Sequence, residues 1–321
     1  TTKAGKKITR EFYPANGYRS QSDPRLHFGL GSDQPEKLEV VWPSARRQNF
    51  ELKTFNQYIE IYEKNEIDGR WFLGGSHLTL LLISVVFFSL QRSPFQIVSV
   101  YVATLTTELF FSYVSKKNKP KAWDLLFSAA TEAAGLLILV RSSFEYAYII
   151  FGIAAVASKY LLRLDEKRHM FNPTNIAIVT GFVLIPRHYF EVRPDDFSVS
   201  LYPILHVLVF GICATYFAKT WTITLSFVSS CCVISLLLSA LTQDTEIYFL
   251  GPEIGTSGLI FMFLMITDPK TTPTSKIGQY IFGVSIAVFL YTLRYFEVFY
   301  AYHFALFLTS LLRGILEFAK M

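Results

Sequence analysis

The stretch FLMITDPKTTPTSKIGQYIFG, residues 263–283, governs the reading of the fold. An apolar helix ends at Thr267-Asp268-Pro269, a short Thr/Pro/Lys loop follows, and Ile277 opens a second apolar helix. So many polar residues between two hydrophobic runs mark a site at a membrane face. Working outward, the 321 residues are 51% hydrophobic and 17% charged, and from Trp71 onward apolar runs recur. Each is about 18–22 residues long, enough to cross a hydrocarbon core of roughly 30 Å. The first 70 residues are different: they hold 12 of the 30 Lys/Arg. The chain therefore reads as a small β-rich domain over 1–66 and an all-α polytopic membrane domain over 67–321.

Ten spans are expected, near 72–90, 95–115, 122–140, 144–162, 171–186, 200–218, 221–241, 247–266, 277–293 and 298–318. The fifth is short and opens with Asn172-Pro173; the eighth carries Gly251, Pro252, Gly255 and Gly258. Short, Gly/Pro-interrupted spans in matching places of two halves point to a binding site between inverted repeats. Five plus five spans fit that plan. Loops after even-numbered spans hold most of the membrane half's Lys and Arg, among them Lys116, Lys117, Arg163, Lys219, Lys270 and Lys276. The excess places those loops, with 267–276, in the cytoplasm.

The net charge of +5 is accounted for by such loops, and no nucleic-acid partner is expected. Cys213, Cys231 and Cys232 all fall in expected spans, form no CxxC motif and suit apolar packing. Glu108, Glu132, Lys159 and His206 lie within spans, where ionisable groups are costly and face protein or water. They serve either internal pairing, such as Glu132 with Lys159, or ion movement or cofactor contact. His77 and His303 lie nearer span ends.

Three motifs resemble the family that holds the D subunit of Rnf-type electron-transport complexes and the B subunit of the sodium-pumping NADH:quinone oxidoreductase. Phe171-Asn172-Pro173-Thr174-Asn175 resembles its F-N-P-A-M segment, with Thr-Asn in place of Ala-Met. Thr267-Asp268-Pro269 and Gly278 to Gly283 follow its T-D-P loop and G-[RK]-x-I-[FY]-G helix start. Ser158-Lys159-Tyr160-Leu161 is similar to its A-K-x-L, and Arg294 to the Arg that closes its ninth span. The resemblance spans about 72–318. It implies ten helices in two repeats, a flavin, electron transfer coupled to ion movement, and partner subunits of a membrane complex, with a quinone as a further partner.

The cofactor-contact candidates are Asn172, Pro173, Asn175, Gly255, Thr256, Ser257, Thr267, Asp268 and Lys159. Glycines and broken helices let a flat flavin approach the backbone, and helix N-termini favour anionic groups. The plainer alternative is that Asn172-Pro173 caps the fifth helix and Asp268-Pro269 ends the eighth. The family's covalent FMN sits on a Thr in an S/D-x-x-[ST]-x-A-T loop outside the membrane. Here the corresponding loop, RHYFEVRPDDFSVS (187–200), has Ser198 and Ser200 but no Ala-Thr pair. Covalent FMN is not expected; noncovalent FMN or riboflavin is. Other readings stay open: a cofactor-free scaffold, or a small-solute transporter or channel.

In the first domain, strands are expected at 37–42, 49–54 and 58–63. Gly17 to Gly31, Val40-Val41-Trp42-Pro43 and Asn56-Gln57 closely resemble the ASPIC/UnbV domain, which implies partner docking or adhesion rather than catalysis. Such domains commonly follow a β-propeller, so one is expected before Thr1. His27 has no metal or catalytic companions. The resemblance favours an extracytoplasmic side, against the loop charges, at a bacterial-type inner membrane.

Overall fold

The computed structural model describes residues 1–11, 25–42, 47–52, 58–61, 69–88, 90–114, 122–165, 168–192, 200–242 and 255–319. The chain divides into two compact units, Thr1–Glu66 and Ile67–Met321.

In the first unit, β1 (Lys37–Val41) and β2 (Arg47–Glu51) pair antiparallel, with Leu38 opposite Phe50 and Val40 opposite Gln48. Those pairs form the half-buried face, while Lys37, Glu39, Asn49 and Glu51 point to solvent, as alternation requires. The N-terminal segment is tied alongside: Thr2 bridges Pro35. The expected strand at 58–63 does not form over its described part, 58–61. Tyr58 is instead covered by the Arg25 guanidinium, 5.0 Å above its ring. His27 is exposed, and much of the ASPIC-like motif lies outside the described residues.

The second unit contains ten α-helices among the described residues. They are α1 (Gly69–Phe87), α2 (Pro94–Val114), α3 (Ala122–Leu139), α4 (Ala147–Leu161), α5 (Pro173–Leu184), α6 (Leu201–Phe217), α7 (Trp221–Thr242), α8 (Thr256–Ile260), α9 (Lys276–Tyr295) and α10 (Ala301–Phe318). Four are long and apolar enough to cross a membrane: α2, α3, α7 and α9. Their outward faces expose Val98, Val102, Leu225, Leu236 and Leu237, side chains a bilayer would cover. The chain is an integral membrane protein.

Helix ends follow local chemistry. Asn172 caps α5, its Oδ1 accepting from Asn175 N at 3.0 Å, with Pro173 in the first turn. Ser275 caps α9 through Gly278 N. α8 runs directly into a π turn, Phe261–Met265. Such a turn loosens the backbone ladder, and side chains take its carbonyls, two from other elements and one from the residues just after it. Thr224 Oγ donates to Met262 O, Thr267 Oγ1 to Phe263 O and Asn172 Nδ2 to Met265 O. A short ribbon unforeseen from sequence joins β3 (Val140–Ser142) to β4 (Phe190–Val192), part of the expected external loop; its remainder, 193–199, lies outside the described residues.

Packing recurs between the halves. α2 packs on α4 as α7 does on α9; α4 on α5 as α9 on α10; α1 on α3 as α6 on α8. Glycines mark the close approaches. A Cβ on Gly152 of α4 would lie 3.0 Å from Ala103 Cβ of α2. One on Gly283 of α9 would overlap Ser226 Oγ of α7 and come 2.6 Å from Ile223 O. Gly74 of α1 abuts the Phe127 ring of α3, as Gly211 of α6 abuts Phe263 of the π turn.

Candidate functional site

A cavity of about 330 Å³ opens where the starts of α1, α3 and α5 meet the ends of α2 and α4. The π turn and the following loop complete its wall with Met265, Asp268 and Lys270. The loops after α4 and α8, which carry Arg163 and Lys270, lie at this end. The volume is at the lower end of ligand pockets, roughly 300–1,000 Å³.

Its centre is an ion cluster. Lys159 Nζ lies 2.9 Å from Glu108 Oε1 and 3.2 Å from Glu132 Oε1. Lys159 and Glu108 are almost wholly buried, 7% and 3% exposed, and Glu132 is 14% exposed. Glu108 is fully engaged: Ser128 Oγ donates to Oε1 at 2.8 Å and Tyr160 OH to Oε2 at 2.6 Å. Glu132 accepts from Thr174 Oγ1 at 3.0 Å. The expected pairing of Glu132 with Lys159 is present, and Glu108 is the nearer partner. Charges this deep are tolerated only with such dense pairing.

Asp268 stands at the loop wall. Its Oδ1 accepts from Lys270 N at 3.1 Å and its carbonyl from Thr271 N, an Asx-type turn after the π segment. Burial raises its carboxyl above the usual range. His169, in the loop between α4 and α5, lines the cavity and is 8% exposed. Burial, reinforced by Lys270 and Lys159, pushes its imidazole down to about 3, so it is neutral. Its Nδ1 has no partner among the described residues, nor has Thr131 Oγ1 on the same lining.

Of the nine expected contact residues, Lys159, Asn172, Pro173 and Asp268 line the cavity. Asn175 lies one position deeper: its Nδ2 donates to His303 O at 3.1 Å and its Oδ1 accepts from His303 Nδ1 at 3.0 Å. Thr267 is buried and turned back to Phe263 O. Gly255, Thr256 and Ser257 do not line the cavity. They open α8, some twelve residues before Asp268, or about 18 Å at helical rise. The plainer alternative for Asn172 and Asp268 is fulfilled in both cases, since each caps or turns the chain while also facing the cavity.

Ser128, Tyr160, His169 and Thr174 are not among the contact candidates read from the sequence. An internal alignment would have flagged Tyr160. FGIAAVASKYLLR (151–163) and FGVSIAVFLYTLR (282–294) share five of thirteen residues: Phe, Gly, Tyr, Leu and Arg. Arg163 lies 4.8 Å over Tyr160, and Arg294 lies 5.6 Å over Tyr291. Tyr160 reaches Glu108 of α2, and Tyr291 OH reaches Cys231 O of α7. Lys159 has Leu290 as its counterpart, so the ion cluster belongs to one half. His77 of α1 lines the cavity, and His206 links α6 to α1 through Thr79 Oγ1 at 3.1 Å.

Residues 202–319 match the model of the NQR2, RnfD, RnfE family. Both resemblances hold in their expected order, the Rnf-type one over 202–319 of the expected 72–318. Residues 1–68 match the ASPIC and UnbV model. No curated protein matches the chain. The family description of 202–319 agrees with a membrane subunit of an Rnf/Nqr-type complex.

Proposed function

We propose that the membrane unit is a flavin-dependent electron-transfer subunit of a multi-subunit membrane complex, with ten membrane helices in two inverted repeats. The observation that carries this reading is the cavity between the halves, in a chain whose second half matches the NQR2, RnfD, RnfE family. α1–α5 supply its ion cluster, and the segment after α8 supplies its far wall. The recurrence of Gly152, Tyr160 and Arg163 as Gly283, Tyr291 and Arg294, with matching contacts to α2 and α7, supports the repeats.

The residues fit a noncovalently held ring. Lys159, Asn172 and Asp268 carry polar groups at the cavity, and burial raises the Asp268 carboxyl above its ordinary value. Trp71, Phe127 and Leu264 give apolar wall. His169 Nδ1 and Thr131 Oγ1 are left for a ligand or water to satisfy. A flavin would supply the redox chemistry; these side chains would bind it, orient it and tune it. Electrons would enter and leave through partner subunits or a quinone, with ion movement coupled to them. Lys159, Asn172 and Asp268 carry the proposed contacts. Gly255, Thr256 and Ser257 would act in packing against α6.

The test is the absorbance spectrum of the protein purified with its native partners. Flavin bands that vanish on denaturation and gel filtration are expected. A colourless preparation that keeps its partners would overturn this reading in favour of a scaffold. A fluorescent band on a denaturing gel would overturn the noncovalent attachment.

A further inference from the structure

The cavity's far wall is held by a residue outside the cavity. The loop 267–275 carries Asp268 and Lys270 into the lining, and two of its carbonyls are tied down, one by the α4–α5 loop and one by α10. His169 N donates to Lys270 O at 3.0 Å. Arg313, in the last turns of α10, donates from Nη1 to Thr271 O. Its side chain is only 9% exposed, and its Nε meets Glu317 Oε1 at 2.8 Å. Glu317 Oε2 in turn lies 3.2 Å from Arg168 Nη2, and Arg168 Nε meets Asp165 Oδ2 at 2.6 Å. One train of contacts thus runs from the loop between α4 and α5, across the end of α10, to the cavity wall.

An arginine buried at the end of an apolar helix is costly to keep. Here its guanidinium fork spans a carboxylate and a backbone carbonyl, which a lysine's single ammonium could not do with the same geometry. Neither Arg313 nor Glu317 lines the cavity. We propose that Arg313 is the positioning residue of this site, and that the loop 267–275 is a latch which Arg313 holds in place as the cavity wall. Releasing the bond to Thr271 O frees Asp268 and Lys270 to move away and admits a ligand from the basic face. The inference builds on the cavity as the ligand site, whichever ligand it takes.

Hydrogen exchange of the whole purified protein in nanodiscs tests this without any ligand. In Arg313→Gln, amides of 268–272 should exchange at least about tenfold faster, the loss expected for a charged hydrogen bond on a local opening. Amides in the middle of α7 and α9 should keep their protection, and trypsin should cut after Lys270 sooner. Arg168→Gln, which removes only the outer pairs, should leave 268–272 protected. Unchanged exchange in a folded Arg313→Gln protein overturns the proposal, as does an equal acceleration throughout α7 and α9. Should that variant fail to fold, Glu317→Gln takes its place: it keeps the guanidinium but loosens its aim, and must raise exchange at 268–272 alone. Riboflavin binding is a separate readout. Failure to bind either riboflavin or FMN sinks the flavin reading, while exchange at 268–272 alone decides the latch.

Discussion

Asn175 and His303 are each the third residue of their helices, α5 and α10, and they clasp one another by two hydrogen bonds. Asn175 Nδ2 gives to His303 O at 3.1 Å, and Asn175 Oδ1 takes from His303 Nδ1 at 3.0 Å. The first bond fixes the amide's orientation, because only its nitrogen can donate to a carbonyl. The second then requires a proton on His303 Nδ1. Both residues are buried, at 1% and 7% exposure, so neither bond competes with water. Asn175→Leu removes the partner of both His303 groups and should cost about 2–6 kcal/mol, from roughly 1–3 for each. A double-mutant cycle with His303→Leu, read by thermal unfolding in detergent, should show strong coupling. Additive effects would sink the clasp.

Lys159 is shared by two carboxylates. Lys159→Met strands Glu108 and Glu132 in an apolar setting and should destabilise by about 3–5 kcal/mol. Adding Glu108→Gln and Glu132→Gln should recover much of that loss, since the stranded charges go with them. A triple variant as unstable as the single one would show that packing, not charge, is what Lys159 supplies.

Gly152 and Gly283 hold matching places but not equal clearance. Gly283→Ala forces a Cβ into Ser226 and Ile223 O and should cost at least about 1–3 kcal/mol. Gly152→Ala meets Ala103 Cβ at 3.0 Å and should cost less. Thermal midpoints of the two variants measured side by side check the order.

His169 is held near 3, well below its unfolded value of about 6.5. The unfolded chain therefore binds a proton that the fold refuses. Its contribution is fully present above pH 6.5 and is lost as pH falls from 6.5 toward 3. Replacing it with Asn should flatten the fall in thermal midpoint between pH 7 and 5. An identical pH profile in the variant would contradict the buried neutral ring.

Asp268 shifts the other way. Its folded carboxyl titrates above the unfolded one, so the stability it contributes in acid is lost as pH rises through the folded value. Asp268→Asn keeps an oxygen for Lys270 N and carries no charge. It should raise the thermal midpoint at pH 7.5 and change little at pH 4. A drop at pH 7.5 would mean the carboxylate is wanted by a partner or ligand.

The helices were legible because apolar length and loop chemistry are local properties. Asn172-Pro173 announced the start of α5 from residue type alone, and Asp268-Pro269 the turn after α8. The β3–β4 ribbon was not legible: Val140–Ser142 and Phe190–Val192 are three residues each, and nothing within either run names its partner. The strand expected at 58–63 erred in the opposite direction. Its residues suit a strand, but the described residues 58–61 do not take strand structure.

The site divides along the same line. Sequence alone determined that the chain has an ASPIC-like domain and then a membrane domain. It also determined that Lys159, Glu108 and Glu132 must face protein or water, as a charge in an apolar span is costly, and left open whether they pair, move ions or touch a cofactor. Only the tertiary structure decided that Glu108 and Lys159, 51 positions apart, form the closer pair, with Tyr160 and Ser128 completing the shell. It also separated Gly255, Thr256 and Ser257 from the cavity and tied Arg313 to Thr271. The reason is physical. The cost of a buried charge is written in the residue and its surroundings along the chain. Which opposite charge offsets it depends on helix crossings, and those are set by where glycines such as Gly152 and Gly283 let two backbones approach.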